Sequence, residues 1–220
     1  MTILKRIALL ILLLAALPAA AQSTRGGKSE FYLAPVFTNS KSYNFEGGST
    51  ARSDTGYGFT LGYAYNFDQK TALGVDVAWS SMDYRATVQP GPGNNLNSAQ
   101  DIRGTMDTWT VRFLGNYYFT KGDIAPFVTG GLGWSYIDTN IPTGLPQNVC
   151  WYYPWYGSYC GSYVPTATST KFSYNAGAGV RFEMGKGFIR ALVNEQWADF
   201  GGSYGSSSWT QYRIDFGIKF

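Results

Sequence analysis

The feature that most restricts this chain is an alternation of large and small side chains with a period of two. From Tyr57 to Phe67 the odd positions are Tyr57, Phe59, Leu61, Tyr63, Tyr65 and Phe67, and between them lie Gly58, Thr60, Gly62, Ala64 and Asn66. Successive side chains of a strand point to opposite faces, so one face is broad and apolar and the other small or polar. The pattern recurs: Trp109, Val111, Phe113, Tyr117 and Phe119 stand against Thr108, Thr110, Arg112, Asn116 and Tyr118. Tyr174, Val180 and Phe182 stand against Asn175, Arg181 and Glu183, and Tyr212, Ile214, Phe216, Ile218 and Phe220 against Gln211, Arg213, Asp215 and Lys219. Four further strands are expected over 30–37, 72–84, 126–137 and 188–200. In the last of these, a register that turns Arg190, Asn194 and Gln196 inward leaves Glu195 outward, which suggests a bulge.

The connectors alternate between long and short. Long ones are expected over 38–53, 88–104, 138–169 and 201–207, and short ones at Asp68-Gln69-Lys70, Lys121-Gly122-Asp123 and Gly185-Lys186-Gly187. Four long and three short connectors require eight strands, with both ends of the sheet at the short-turn side. That is the arrangement of an outer-membrane barrel, with periplasmic turns and long external loops. Charged residues are 14% of the chain, against roughly 25% in soluble domains. A soluble barrel that turns its large residues inward needs a polar outer face, and the second face here is too rich in Gly, Ala and Ser for that. The fold class expected is all-β, an eight-stranded antiparallel up-and-down transmembrane β-barrel over 29–220. Its outer wall would meet outer-membrane lipid and lipopolysaccharide.

The N-terminus reads as an export signal. Lys5 and Arg6 precede the apolar run 7–17, Pro18 ends it, and Ala19-Ala20-Ala21 supplies small residues for cleavage before Gln22. The run is too short to span a bilayer, which takes roughly 20 residues. Residues 1–21 are therefore expected to be a signal peptide and 22–28 a flexible lead-in. Loss of Lys5 and Arg6 leaves 15 of the 17 basic groups against 14 acidic ones, so the charge points to no nucleic-acid partner.

The chain contains no His, and its two cysteines are Cys150 and Cys160. In an exported chain they are expected to pair as a disulfide rather than hold a metal. General acid/base chemistry at neutral pH most often uses His, and no carboxylate is paired with a nucleophile, so neither an enzyme nor a cofactor is expected. Gly130-Gly131-Leu132-Gly133 and Gly177-Ala178-Gly179 lack the Lys-Ser/Thr of a phosphate loop and sit inside strands.

Two constellations remain. Asp76, Arg112, Arg181, Glu183, Arg190, Arg213, Asp215 and Lys219 fall on the inner face, either as a charged conduit or as an ion-pair network filling a narrow interior. Between the cysteines lie Trp151, Tyr152, Tyr153, Trp155, Tyr156 and Tyr159. Such aromatics suit a recognition loop for a host-surface or envelope ligand, and equally a self-packed cap on the barrel mouth or a loop dipping into the interface. Lys41, Arg52 and Arg103 in the loops are too few to argue a lipid site.

Three stretches carry a family resemblance: Ala125–Gly133, Tyr174–Phe182 and Tyr212–Phe220. From about Glu30 to Phe220 the chain resembles the OmpA-like and opacity-protein β-barrel domains of Gram-negative outer membranes. The ending, with Tyr212, Phe216, Ile218 and a terminal Phe220, is similar to the signal read by barrel-assembly machinery, which the resemblance implies as a partner. Larger relatives continue into a peptidoglycan-binding domain, and no such tether is expected here. Since the group shares a fold rather than one activity, the function expected is non-enzymatic display of external loops, with a narrow channel for small solutes or ions as the alternative.

Overall fold

The computed structural model describes residues 25–44, 48–90, 97–142, 147–199 and 206–220. The expected signal peptide and residues 22–24 lie outside these. Twelve strands follow in order: β1 (Ser29–Thr38), β2 (Lys41–Asn44), β3 (Thr50–Ser53), β4 (Gly56–Asn66), β5 (Thr71–Val88), β6 (Gln100–Tyr118), β7 (Ile124–Pro142), β8 (Gln147–Tyr153), β9 (Gly157–Tyr163), β10 (Thr166–Met184), β11 (Gly187–Asp199) and β12 (Ser206–Lys219). Eight of them run in the order β5-β4-β1-β12-β11-β10-β7-β6, and β6 pairs back onto β5, closing the ring. Every pairing is antiparallel. Closure leaves no free edge, which is what allows strands to cross hydrocarbon.

The alternation read from the sequence is the alternation of the wall. In β4 the residues Tyr57, Phe59, Leu61, Tyr63 and Tyr65 are exposed, while Thr60, Gly62, Ala64 and Asn66 are buried. Two aromatic belts ring the exterior. Phe59, Trp79, Trp109 and Tyr136 form one cross-strand row on the loop side, and Tyr65–Phe67 and Tyr117–Phe119 pack edge to face near the short turns. Between Trp109 and Tyr117–Phe119 lie roughly 27–34 Å of strand, or about 21–26 Å of height at a tilt of about 40°. That matches the apolar band of about 25 Å on outer-membrane barrels.

The interior is too narrow for every residue to carry a side chain. A Cβ at Gly62 would run into the ring of Tyr32, its partner across β1 and β4, and one at Gly217 into the ring of Phe188, its partner across β11 and β12. The two glycines thus make room for two aromatic rings inside the barrel.

The structure differs from the sequence reading in four respects. First, the strands are longer and the loops shorter, because pairing continues above the membrane: β5 and β6 stay in register out to Val88 and Gln100. The first long loop holds the β2–β3 hairpin, which adds to β5, and the third holds the separate two-stranded sheet β8–β9. Second, β11 has no bulge. It pairs without interruption from Gly187 to Asp199. Glu195 does point outward, and its carboxylate accepts a hydrogen bond from the Thr210 hydroxyl at 2.7 Å. It sits beside the Tyr174–Trp197 stack, at the level of the outer aromatic belt. The register shift falls instead in β10, between Thr166 and Thr168. Third, β12 begins at Ser206, inside the connector expected over 201–207, while Phe200, expected at the end of the seventh strand, lies outside the described residues. Fourth, the end of the 22–28 lead-in is fixed: Arg25 is fully buried, the Gly27 N–H donates to the Asn66 carbonyl, and the Lys28 N–H donates to that of Arg25.

Candidate functional site

The inner polar face converges on two linked ion-pair clusters. In the first, Arg112 donates to Asp76 from Nε at 2.8 Å and from Nη2 at 3.0 Å. Arg213 reaches the same carboxylate at 2.9 Å and also donates to Asp215 from Nε at 2.7 Å. Arg190 donates to Asp215 at 2.9 Å. Asp76 sits on β5, Arg112 on β6, Arg190 on β11 and the other two on β12, so the cluster spans the lumen.

The second cluster lies toward the short-turn end. Arg181 holds Glu30 with two donors at 2.6 and 2.8 Å and donates to Glu183 at 2.7 Å. Lys219 donates to Glu183 at 2.6 Å. Arg25 closes the mouth, donating to the Gln69 and Thr120 carbonyls at 3.0 and 2.8 Å and pairing with Glu183 at 3.4 Å. Burial, together with nearby Arg181, draws the Arg25 guanidinium below the usual arginine range. The Tyr118 hydroxyl accepts from both Arg181 and Arg190 and joins the clusters.

Among the described residues, six buried cations (Arg25, Arg112, Arg181, Arg190, Arg213 and Lys219) face four carboxylates (Glu30, Asp76, Glu183 and Asp215). Aromatic faces offset the surplus: Arg181 stands 3.8 Å over Phe188, Arg190 4.4 Å over Tyr32 and Arg25 4.5 Å over Tyr118. The enclosed space among Tyr32, Asn116, Asn175, Arg190 and Arg213 is about 10 Å³, which admits a single water molecule. All eight inner charges named from the sequence meet in this network. Glu30, Tyr32, Tyr118 and Arg25 also take part, and of these the sequence reading places only Tyr118 on the inner face. The first three share the inner parity of their strands, a signal the sequence does carry, whereas Arg25 precedes every strand and has no such signature.

The second candidate is the β8–β9 hairpin. Cys150 and Cys160 stand directly opposite in the register, 4.0 Å apart at Cα, and are joined as a disulfide. The strands turn through Pro154, Trp155 and Tyr156 into Gly157, whose φ of 80° favours glycine. At the tip Trp155 and Tyr156 are each 91% exposed, and Tyr152, Tyr153 and Tyr159 are exposed along its sides. Trp151 belongs to β8 by its backbone, and its side chain lies outside the described residues. The self-packed cap weighed from the sequence does not describe these rings. The remaining sequence-named residues, Tyr212, Phe216 and Ile218, face outward on β12, and the Phe220 N–H donates to the Ser29 carbonyl as the last strand meets the first.

A closed antiparallel barrel with an apolar outer wall, two aromatic belts and an ion-paired lumen defines the class of outer-membrane β-barrels. The model of the outer membrane protein β-barrel domain matches residues 7–211, and the chain belongs to that family. Its place is the bacterial outer membrane. The fold is that of the outer membrane protein OprG of Pseudomonas aeruginosa, which is 14% identical, with 90% of this chain and 98% of that one covered at a TM-score of 0.50. The attachment invasion locus protein Ail of Yersinia pestis is also similar, at 14% identity, 89% and 99% coverage and a TM-score of 0.49. Neisserial surface protein A gives 12% identity, 86% and 97% coverage and a TM-score of 0.47. No curated protein sequence matches the chain.

Proposed function

We propose that the protein is a non-enzymatic surface protein whose closed barrel is a rigid stand for the disulfide-pinned aromatic hairpin, with export by a cleavable signal peptide over residues 1–21. The observation that carries this reading is the pair Trp155 and Tyr156, 91% exposed at the tip of a cross-linked hairpin. Large aromatics left in water are costly unless a partner covers them. Their few rotatable bonds and the cross-link lower the entropy lost on contact. The partner is a host-surface or envelope ligand. Display is favoured over conduction because the interior guanidiniums and carboxylates pair with each other across the lumen, and the space among Tyr32, Asn116, Asn175, Arg190 and Arg213 is about 10 Å³. The outward Tyr212, Phe216, Ile218 and Phe220 are assigned to the assembly machinery.

The test begins with single-channel recording on the protein purified from outer membranes, after its gel mobility has been compared before and after boiling. A mobility shift with no conductance is expected, and steady channels would overturn the display reading. Cells carrying wild-type protein or Trp155→Ser/Tyr156→Ser are then compared for adhesion to epithelial monolayers. Loss of adhesion with the mobility shift kept is expected, and equal adhesion would remove the hairpin from the contact.

A further inference from the structure

Above the outer aromatic belt the exterior wall carries an alignment of like charges. Arg52 of β3 stands directly opposite Arg85 of β5, and Arg85 stands directly opposite Arg103 of β6. All three are exposed. Arg85 and Arg103 share the parity of Trp79 and Trp109, so the row faces outward from the barrel wall rather than over its mouth. Cβ atoms of directly opposed residues lie about 4.5–5.5 Å apart, and like charges in such positions destabilise a sheet. Three arginines in a row across three strands are therefore unfavourable unless an anion spans them.

The wall supplies part of that anion, through Asp54, Asp83 and Asp101, and among the described residues leaves the row's third guanidinium without an ion pair. Asp54 lies 3.7 Å from Arg52 and 4.0 Å from Arg85, at the outer limit of ion pairing and on exposed side chains. Asp83 and Asp101 accept hydrogen bonds from Thr105 and Thr87, at 3.1 and 2.7 Å. Arg103 has no carboxylate within ion-pair distance among the described residues. Beside the row is an open hollow of about 310 Å³ lined by Asp54, Asp83, Arg85, Arg103 and Thr105. Guanidinium groups there offer paired donors suited to phosphate oxygens, and the carboxylates and Thr105 offer acceptors and a hydroxyl suited to sugar. The chemistry is that of a phosphorylated saccharide.

Position selects the source. Along β5 the row lies six residues beyond Trp79, and along β6 six residues before Trp109. That is roughly 20 Å of strand, or about 15 Å of height above the belt at the usual tilt. A belt marks the headgroup level, so this part of the wall stands in the sugar layer of the outer leaflet. We propose that the Arg52–Arg85–Arg103 row binds the phosphorylated inner saccharide of a neighbouring lipopolysaccharide and fixes the barrel laterally in that leaflet. The site is independent of the aromatic hairpin, which lies in a different loop and a different sheet.

The test uses the full-length folded barrel in lipopolysaccharide-free detergent micelles. Binding is measured by titration with lipopolysaccharide, with the same material after chemical dephosphorylation, and with a sulfated glycosaminoglycan fragment. Wild-type protein is expected to bind the phosphorylated form at least tenfold more tightly than the dephosphorylated form. The triple variant Arg52→Gln/Arg85→Gln/Arg103→Gln is expected to lose that preference. A second readout separates binding from damage to the fold. Without lipopolysaccharide the triple variant should unfold at the same temperature as wild type or higher, since repulsion is relieved. With it present, wild type should gain the larger upward shift. Equal affinity for phosphorylated and dephosphorylated forms, or an unchanged preference in the variant, would overturn the proposal. Tighter binding of the glycosaminoglycan fragment than of lipopolysaccharide would overturn it in favour of a soluble polyanion.

Discussion

Arg112 grips Asp76 with two parallel donors, at 2.8 and 3.0 Å, across adjacent strands inside the barrel. The same carboxylate also receives Arg213. Asp76 is thus the anion on which two guanidiniums depend, and both are buried. Replacing it by Asn leaves them uncompensated by the charge they share. Breaking a buried pair from one side costs about 3–5 kcal/mol. Asp76→Asn is expected to lower the temperature at which the folded gel band converts to the unfolded one. An unchanged conversion temperature would mean that the network fills the lumen without supporting it.

Gly217 exists to admit the Phe188 ring, and that ring in turn lies 3.8 Å beneath the Arg181 guanidinium. Gly217→Ala forces the ring toward Arg181 and disturbs the ion pairs with Glu30 and Glu183. Overpacking of this kind costs about 1–3 kcal/mol. Adding Phe188→Leu to Gly217→Ala should restore part of the loss, because the smaller side chain vacates the space. Strict additivity of the two substitutions in thermal unfolding would show that they do not share that space.

The disulfide belongs to the hairpin and not to the barrel, since among the described residues β8 and β9 pair only with each other. Closing so short a loop limits unfolded-state entropy by about 3 kcal/mol in the loop-entropy model. Cys150→Ser/Cys160→Ser should therefore leave the heat-dependent gel shift of the barrel where it was. Chymotrypsin should cut the variant between residues 151 and 159 faster than wild type, an effect mass spectrometry of the fragments can locate. A lowered barrel transition would mean that the hairpin braces the wall.

How much of this was legible beforehand follows from where parity operates. Asp76, Arg112, Arg181 and Arg213 could be placed inside because each sits in a strand whose other residues alternate. Which carboxylate each arginine meets depends on closure and stagger, and period-two patterning contains neither. Arg25 carries no periodic signature, and its burial arises from the turns at Gln69 and Thr120 that meet at the mouth. The β8–β9 hairpin read as a loop because its described side chains are exposed on both faces of β9 and at the tip, and a strand without a buried face has no reason to alternate. Arg52 and Arg103 were visible as isolated loop charges. Only the register between β3, β5 and β6 places Arg85 between them.

The turn that leads into β5 is set by one exposed carboxylate. Asp68 accepts the Lys70 N–H at 2.6 Å and the Thr71 N–H at 2.8 Å. Those two donors, Lys70 first, hold its pKa below the usual aspartate range. A carboxyl whose folded-state pKa is depressed stabilises the fold above its unfolded value of about 3.9. That contribution disappears as pH falls through the lower folded value. Asp68→Asn keeps an oxygen acceptor in the turn but removes the titration. The difference in unfolding midpoint between wild type and Asp68→Asn should be constant from about pH 7 to pH 5 and shrink below about pH 4. A difference that stays constant down to pH 2 would show that the turn is held by geometry without help from the charge.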